Sequence, residues 1–160
     1  MPLGQQLFKS IEHHSALCAL KIGSRQISYK ELNRKALSVA GFLSNKKMVN
    51  RNVGIVTQRS FSAYAGILGA IYGGCTYVPI NSKYPEEKIT NIINDAGIQV
   101  LISSEHDWNS IKDKLRNVNN VKFLLFPNGI NNYQGDINAI VNNDIENVSC
   151  LQKPLDVDLD

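Results

Sequence analysis

The sequence predicts an α/β domain: a doubly wound, mainly parallel sheet flanked by helices, with a short β-hairpin near the N-terminus. Three observations carry this. Short apolar, β-rich runs, "NVGIVTQ", "TYVPI", "QVLIS" and "VKFLLF", alternate with segments of helical periodicity. The runs are nearly continuous in apolar character, as strands covered on both faces require. A chain of 160 residues, 43% hydrophobic and 19% charged, is long enough for one core and too short for two ordinary domains.

Pro2 to His14 reads as a short amphipathic helix with Leu3, Leu7, Phe8 and Ile11 on one side. His13 and His14 point in different directions on such a helix, with no third ligand at metal spacing, and read as a surface pair. "ALCALKI" and "RQISY" flank Gly23-Ser24, a two-residue connection that closes a hairpin. Ser28 and Glu31 then have the spacing of a capping box, flanked by Ile27 and Leu32 as a hydrophobic staple. Leu32, Ala36, Val39 and Leu43 continue at helical spacing until Asn45-Lys46-Lys47.

After the strand "NVGIVTQ", "FSAYAGILGAIYG" reads as a helix poor in large side chains. Gly66, Gly69 and Gly73 fall on one of its faces. Each interior glycine costs a helix about 1 kcal/mol relative to alanine, so close packing must offset it. The uncharged stretch after Arg59 has the length of a membrane helix. Gly73-Gly74 and Pro79 break it, so a helix followed by a buried core strand, Thr76 to Ile80, is the better account.

Pro85 is expected at the first position of the next helix, with Glu86 and Glu87 at its positive end. Ile89, Ile92 and Ile93 form its buried face and Gly97 ends it. "QVLIS", a helix from about Trp108 to Arg116, and "VKFLLF" follow. Residues 127–160 are expected to be a loop-rich tail with at most one short helix and a mobile end.

The net charge of +3 is uneven, with six acids against Lys153 after residue 127 and sixteen bases against eight acids before it. The bases are scattered, whereas nucleic-acid binders concentrate them, so no nucleic-acid partner is expected. No membrane partner is expected either. Cys18, Cys75 and Cys150 show neither disulfide nor zinc spacing. With no secretory leader in "MPLGQQLFKS", the cytoplasm is the expected compartment. Asn147-Val148-Ser149 matches a glycosylation acceptor by spacing and is read as chance.

Chemistry is expected beyond the carboxyl ends of the strands. No phosphate-loop, dinucleotide, nucleophile-elbow or zinc-protease motif is present, and "GILGAIYGG" places its glycines within a helix rather than at a strand-to-helix turn. The residues single out no catalytic, cofactor-binding or metal-ligating group.

Two segments together carry a resemblance. "ISYKELN" resembles the first core motif of the AMP-forming adenylating enzymes, L-[TS]-Y-x-E-L, through Ser28, Tyr29, Glu31 and Leu32. "IYGGCTYVPINSKYPEEKI" resembles the second core motif and its continuation through Gly74, Tyr77, Val78, Pro79, Ile80, Tyr84, Pro85, Glu87 and Ile89. The departures are Ile71, Tyr72, Gly73, Thr76, Asn81, Ser82 and Lys88. The resemblance is clear from about Arg25 to Ser103.

The resemblance implies a partial N-terminal subdomain of the adenylating-enzyme fold, spanning 1–160 as one partial domain. The family activates a carboxylate with Mg-ATP as an acyl adenylate and passes it to a thiol. Its phosphate loop, nucleotide-gripping residues and lid lysine would all lie downstream, so the 160 residues alone are expected to be a truncated fragment, inactive and without a bound cofactor. ATP and Mg are expected for a longer parent, whose partners would be the rest of the adenylation domain and a carrier-protein thiol. Tyr84-Pro85 leans the substrate towards an amino acid, as in peptide-synthetase adenylation domains. The alternative is a non-enzymatic docking module or split subunit, because an incomplete sheet exposes edges that invite association.

Overall fold

The computed structural model describes residues 1–131, 133–134, 140–142 and 150–157. The triplet at 147–149 and the acids Asp158 and Asp160 lie outside the described residues.

Helix α1 (Leu3–His13) leads into the antiparallel hairpin β1 (Cys18–Ile22) and β2 (Arg25–Ser28). Gly23 turns the hairpin at φ +59°, a conformation natural to glycine. Helix α2 (Tyr29–Asn45) starts at Ser28, whose Oγ accepts the Glu31 amide at 3.2 Å. The other half of the predicted capping box is not formed. The Glu31 carboxylate pairs with the Arg25 guanidinium and so ties helix to hairpin.

Then follow β3 (Asn52–Val56), α3 (Phe61–Tyr72), β4 (Thr76–Ile80), α4 (Glu86–Asp95), β5 (Val100–Ile102) and α5 (Glu105–Ile111). A 3₁₀ turn, Lys112–Leu115, precedes β6 (Phe123–Leu125) and β7 (Ile140–Asn142). The five strands from β3 onward form one sheet in the order β4-β3-β5-β6-β7, every neighbouring pair parallel.

Register sorts the two faces. Val53, Val100 and Phe123 align, as do Ile55, Ile102 and Leu125, and both rows face α2 and α3. Leu101 and Leu124 lie on the opposite face, packed with Ile89 and Ile93 of α4 and Trp108 and Ile111 of α5. Helices therefore cover both faces, as a doubly wound sheet requires.

A further layer lies outside α2 and α3. Ile11 of α1 and Ile27 of the hairpin pack with Ala36, Ala40, Ala65 and Tyr72. Helix α3 is thus enclosed by the sheet on one side and by α1 and the hairpin on the other, which explains its lack of charge without a membrane. Among the described residues, no helix is long and apolar enough to cross one. Inside this layer the Tyr72 hydroxyl donates to Asn33 Oδ1 at 2.8 Å, and burial followed by the Glu12 charge holds the phenol well above its ordinary pKa.

Several expectations are corrected. Thr76 to Ile80 is not a core strand: β4 is the sheet edge, and Ile80 is its only fully buried residue. Pro79, which has no N–H to give a further neighbour, is tolerated there for that reason. The close packing expected of Gly66, Gly69 and Gly73 is present and is divided between two neighbours. Gly66 packs on Ile102 and Ile55 of the sheet, and Gly69 and Gly73 pack on Val39 and Ala40 of α2. Pro85 caps α4 from the N-cap position instead of opening it.

Helix α5 begins three residues before Trp108, because Ser104 Oγ accepts the Asp107 amide at 3.1 Å and sets an earlier start. Residues 127–160 hold β7, parallel to β6, where loop was expected. The predicted mobile end is packed over 150–157: the Leu155 amide donates to the Tyr72 carbonyl at 2.9 Å, and Gln5 Nε2 donates to Asp156 Oδ1 at 2.9 Å.

Candidate functional site

In a parallel open sheet the natural binding place is the crevice where the chain's direction of winding reverses, outside the carboxyl ends of the strands. Here β3 has β4 on one side and β5 on the other, so the reversal falls at β3 and β5. A crevice of about 460 Å³ opens there, walled by Gln58, Arg59, Ser60 and Phe61 after β3, Ser104, His106 and Asp107 after β5, and Asn128 after β6. Ile22, Arg25 and Ile27 of the hairpin close its far side.

Each loop is fixed by its own chemistry. Ser60 Oγ accepts the Ala63 amide at 3.2 Å and starts α3, as Ser104 starts α5. Gln58 Nε2 donates to Ser82 Oγ at 2.8 Å, which joins the loop after β3 to the loop after β4. Lys114 Nζ donates to the Ser82 and Tyr84 carbonyls at 2.6 and 2.9 Å, so that second loop is pinned from below by a cation. Arg25 lies over the Phe61 ring, 5.4 Å from guanidinium carbon to centroid.

The residues singled out by sequence fall in several places. Ser28 caps α2, and Tyr29, Glu31 and Leu32 belong to its first turn, beside the hairpin that closes the crevice. Tyr84, Pro85 and Glu87 belong to the loop and helix start after β4, where Lys88 Nζ stands 3.9 Å from the Tyr84 ring centroid. Tyr77 is 41% exposed on the sheet edge, and Pro79 sits opposite Ile55 in the ladder. Gly74 has φ +63° at the end of α3, and a Cβ there would meet the Val157 side chain at 3.1 Å. None of these positions is among the crevice-lining residues.

The crevice residues themselves were not singled out by sequence. The usable signal was the pairing of "QRS" after "VGIVT" with Ser104 and Asp107 after "VLIS", two strand ends followed by capping serines.

The loops after β3, β4 and β5 do not have the make-up of a phosphate cradle. No glycine lies in the loops after β3, β4 or β5, so none of them brings backbone amides freely around a triphosphate. Among the described residues no three His, Cys, Asp or Glu side chains gather as a metal site.

Comparisons add the wider setting. A family model described as AMP-binding enzyme matches residues 7–147. Bacitracin synthase 1 of Bacillus licheniformis is 40% identical over 88 residues, covering 54% of this chain and 2% of that protein. The crystal structure of IdnL7 superposes with a TM-score of 0.78 at 25% identity, over 94% of this chain and 30% of its own. A benzoate CoA ligase from Burkholderia xenovorans LB400 shares the fold, with a TM-score of 0.78 at 16% identity over 98% of this chain and 30% of that one. The chain therefore spans about 2% of the length of that synthase and 30% of those solved chains.

Proposed function

The chain belongs to the AMP-binding enzyme family, and on that premise we propose that it is the N-terminal part of an ATP-dependent, AMP-forming ligase. The ligase activates a carboxylate, an amino acid by preference, as an acyl adenylate and hands it to a carrier thiol. These 160 residues alone do not perform the reaction. The observation that supports this most directly is the pair of core motifs, Ser28 to Leu32 and Gly74 to Ile89, in order within a match covering residues 7–147. The lack of glycine in the loops after β3, β4 and β5 supports the inactivity of the part.

The role of the chain's own residues in that ligase is scaffolding. Ser28 fixes the start of α2, Lys114 and Gln58 fix the loop that holds Tyr84 and Pro85, and the glycines of α3 let two helices pack tightly over the sheet. Catalysis of acyl-adenylate formation depends on positioning, so a rigid support is a contribution in itself.

Exchange of labelled pyrophosphate into ATP tests the reading. The source reading frame carried beyond residue 160 is expected to show exchange stimulated by an amino acid, and the 160-residue chain none. Stimulation only by aryl or fatty acids overturns the substrate class. Exchange by the short chain overturns its inactivity, and a continuation without a Ser/Thr/Gly-rich phosphate loop overturns the ligase reading.

A second reading, a non-enzymatic subunit that pairs through its sheet edge, is favoured by the exposure of β4. Sedimentation of the chain as a monomer, with no partner recovered from native extract, removes it.

A further inference from the structure

Asp107 is fully buried, 0% exposed, and neither oxygen of its carboxylate has a hydrogen-bond partner. Its backbone amide is satisfied by Ser104, so capping explains the start of the helix and leaves the carboxylate unexplained. A carboxylate taken out of water without a donor is strongly disfavoured, and natural proteins keep few of them.

The same residue forms part of the wall of the crevice beyond β3 and β5. The crevice wall holds two arginines and one histidine, of which Arg25 is already paired with Glu31 and laid over Phe61, while Arg59 and His106 are exposed. Residues 132, 135–139, 143–149 and 158–160 contain no Lys, Arg or His, so none of them can supply the missing positive donor. Ile22, Ile27 and Phe61 give the crevice an apolar side against which a hydrocarbon stem can lie. Its volume of about 460 Å³ is within the range of small-ligand sites.

We propose that this crevice receives a cationic nitrogen donor, an alkylammonium or guanidinium group, with Asp107 as its acceptor. A charged donor matches a buried carboxylate better than a neutral one, because charge-assisted hydrogen bonds are the stronger kind and leave no net charge buried. Because Asp107 has no exposed surface as it stands, the proposal requires its side chain to rotate towards the crevice to meet the donor. The proposal rests on residues of this chain and does not depend on the ligase reading.

The test is thermal unfolding and calorimetric titration of the 160-residue chain at constant ionic strength. The probes are n-propylammonium, methylguanidinium and N-acetyl-arginine amide, with tetramethylammonium and propanol as controls. The N–H cations are expected to raise the unfolding temperature saturably by a few degrees, the controls to leave it unchanged, and Asp107→Asn to abolish the response. A tenfold preference for N-acetyl-arginine amide over methylguanidinium assigns the donor to a polypeptide side chain, and parity assigns it to a free small cation. Asp107→Leu, which removes an unpartnered charge, is expected to fold and to unfold at the same temperature or higher. The proposal is overturned if no N–H cation binds, if binding survives in Asp107→Asn, or if Asp107→Leu lowers the unfolding temperature by several degrees.

Discussion

Gly69 and Val39 meet so closely across the α2–α3 contact that a Cβ on Gly69 would lie 2.5 Å from Val39 Cβ and 2.9 Å from the Ala36 carbonyl oxygen. Backbone on one side leaves no room for relaxation. Gly69→Ala is expected to destabilise the chain by about 2 kcal/mol net, overpacking outweighing the roughly 1 kcal/mol gained in helix propensity. Adding Val39→Ala is expected to remove part of the clash, so a urea double-mutant cycle gives a non-additive, partly compensating pair. Additive losses would place the strain elsewhere.

Three helices leave by the same left-handed exit. After α2, α3 and α4 the positive-φ position is held by Lys47 (φ 57°), Gly74 (φ 63°) and Gly97 (φ 61°), each followed by the long hydrogen bond back to the third-last residue of its helix. Lysine is the strained member. Lys47→Gly is expected to raise stability by about 0.5–1 kcal/mol, and Gly97→Ala to lower it by about 1 kcal/mol. Equilibrium urea unfolding measures both, and a loss on Lys47→Gly contradicts the account.

Burial pushes the Cys75 thiol from its ordinary 9.0 up to about 12, and Cys18 and Cys150 are exposed. At pH 8 iodoacetamide is expected to label Cys18 and Cys150 quickly and Cys75 only on unfolding. The linkage has a definite sign. The folded state keeps the Cys75 proton longer than the unfolded state, so this contribution is complete below pH 9 and is lost as pH rises from 9.0 towards about 12. Cys75→Ala is expected to flatten that part of the stability profile.

Lys114 supplies two hydrogen bonds to the carbonyls that shape the loop carrying Tyr84 and Pro85. Lys114→Met keeps most of the stem and removes the donors. A cost of about 1.5–3 kcal/mol is expected from losing charged hydrogen bonds, with faster hydrogen exchange at Lys83 and Tyr84 than elsewhere. Uniform acceleration across the sheet would instead indicate a general loss of packing.

What could be read from the sequence was local. The turn at Gly23, the cap at Ser28 and the exit at Gly97 are written in neighbouring residues, and each lies where it was expected. Strand order is not local. "TYVPI" has the composition of a core strand, yet the chain crosses from β4 past β3 to form β5 on the other side, which leaves β4 at the edge. The crevice was invisible for the same reason: Gln58, Ser104 and Asn128 are ordinary loop residues until β3, β5 and β6 lie side by side. Asp107 was hidden more thoroughly, because three residues after a capping serine an acid looks fully explained.

The contact between Gln5 and Asp156 joins positions 151 residues apart in sequence. Such a contact is entropically unfavourable until almost everything between its partners is already arranged, which places it at the end of the folding reaction. The Leu155 amide, held by the Tyr72 carbonyl in the same strap, is therefore a clock hand for folding. In pulse-labelled refolding it is expected to gain protection after the amides of β3 and β5, and on unfolding it should be among the first released.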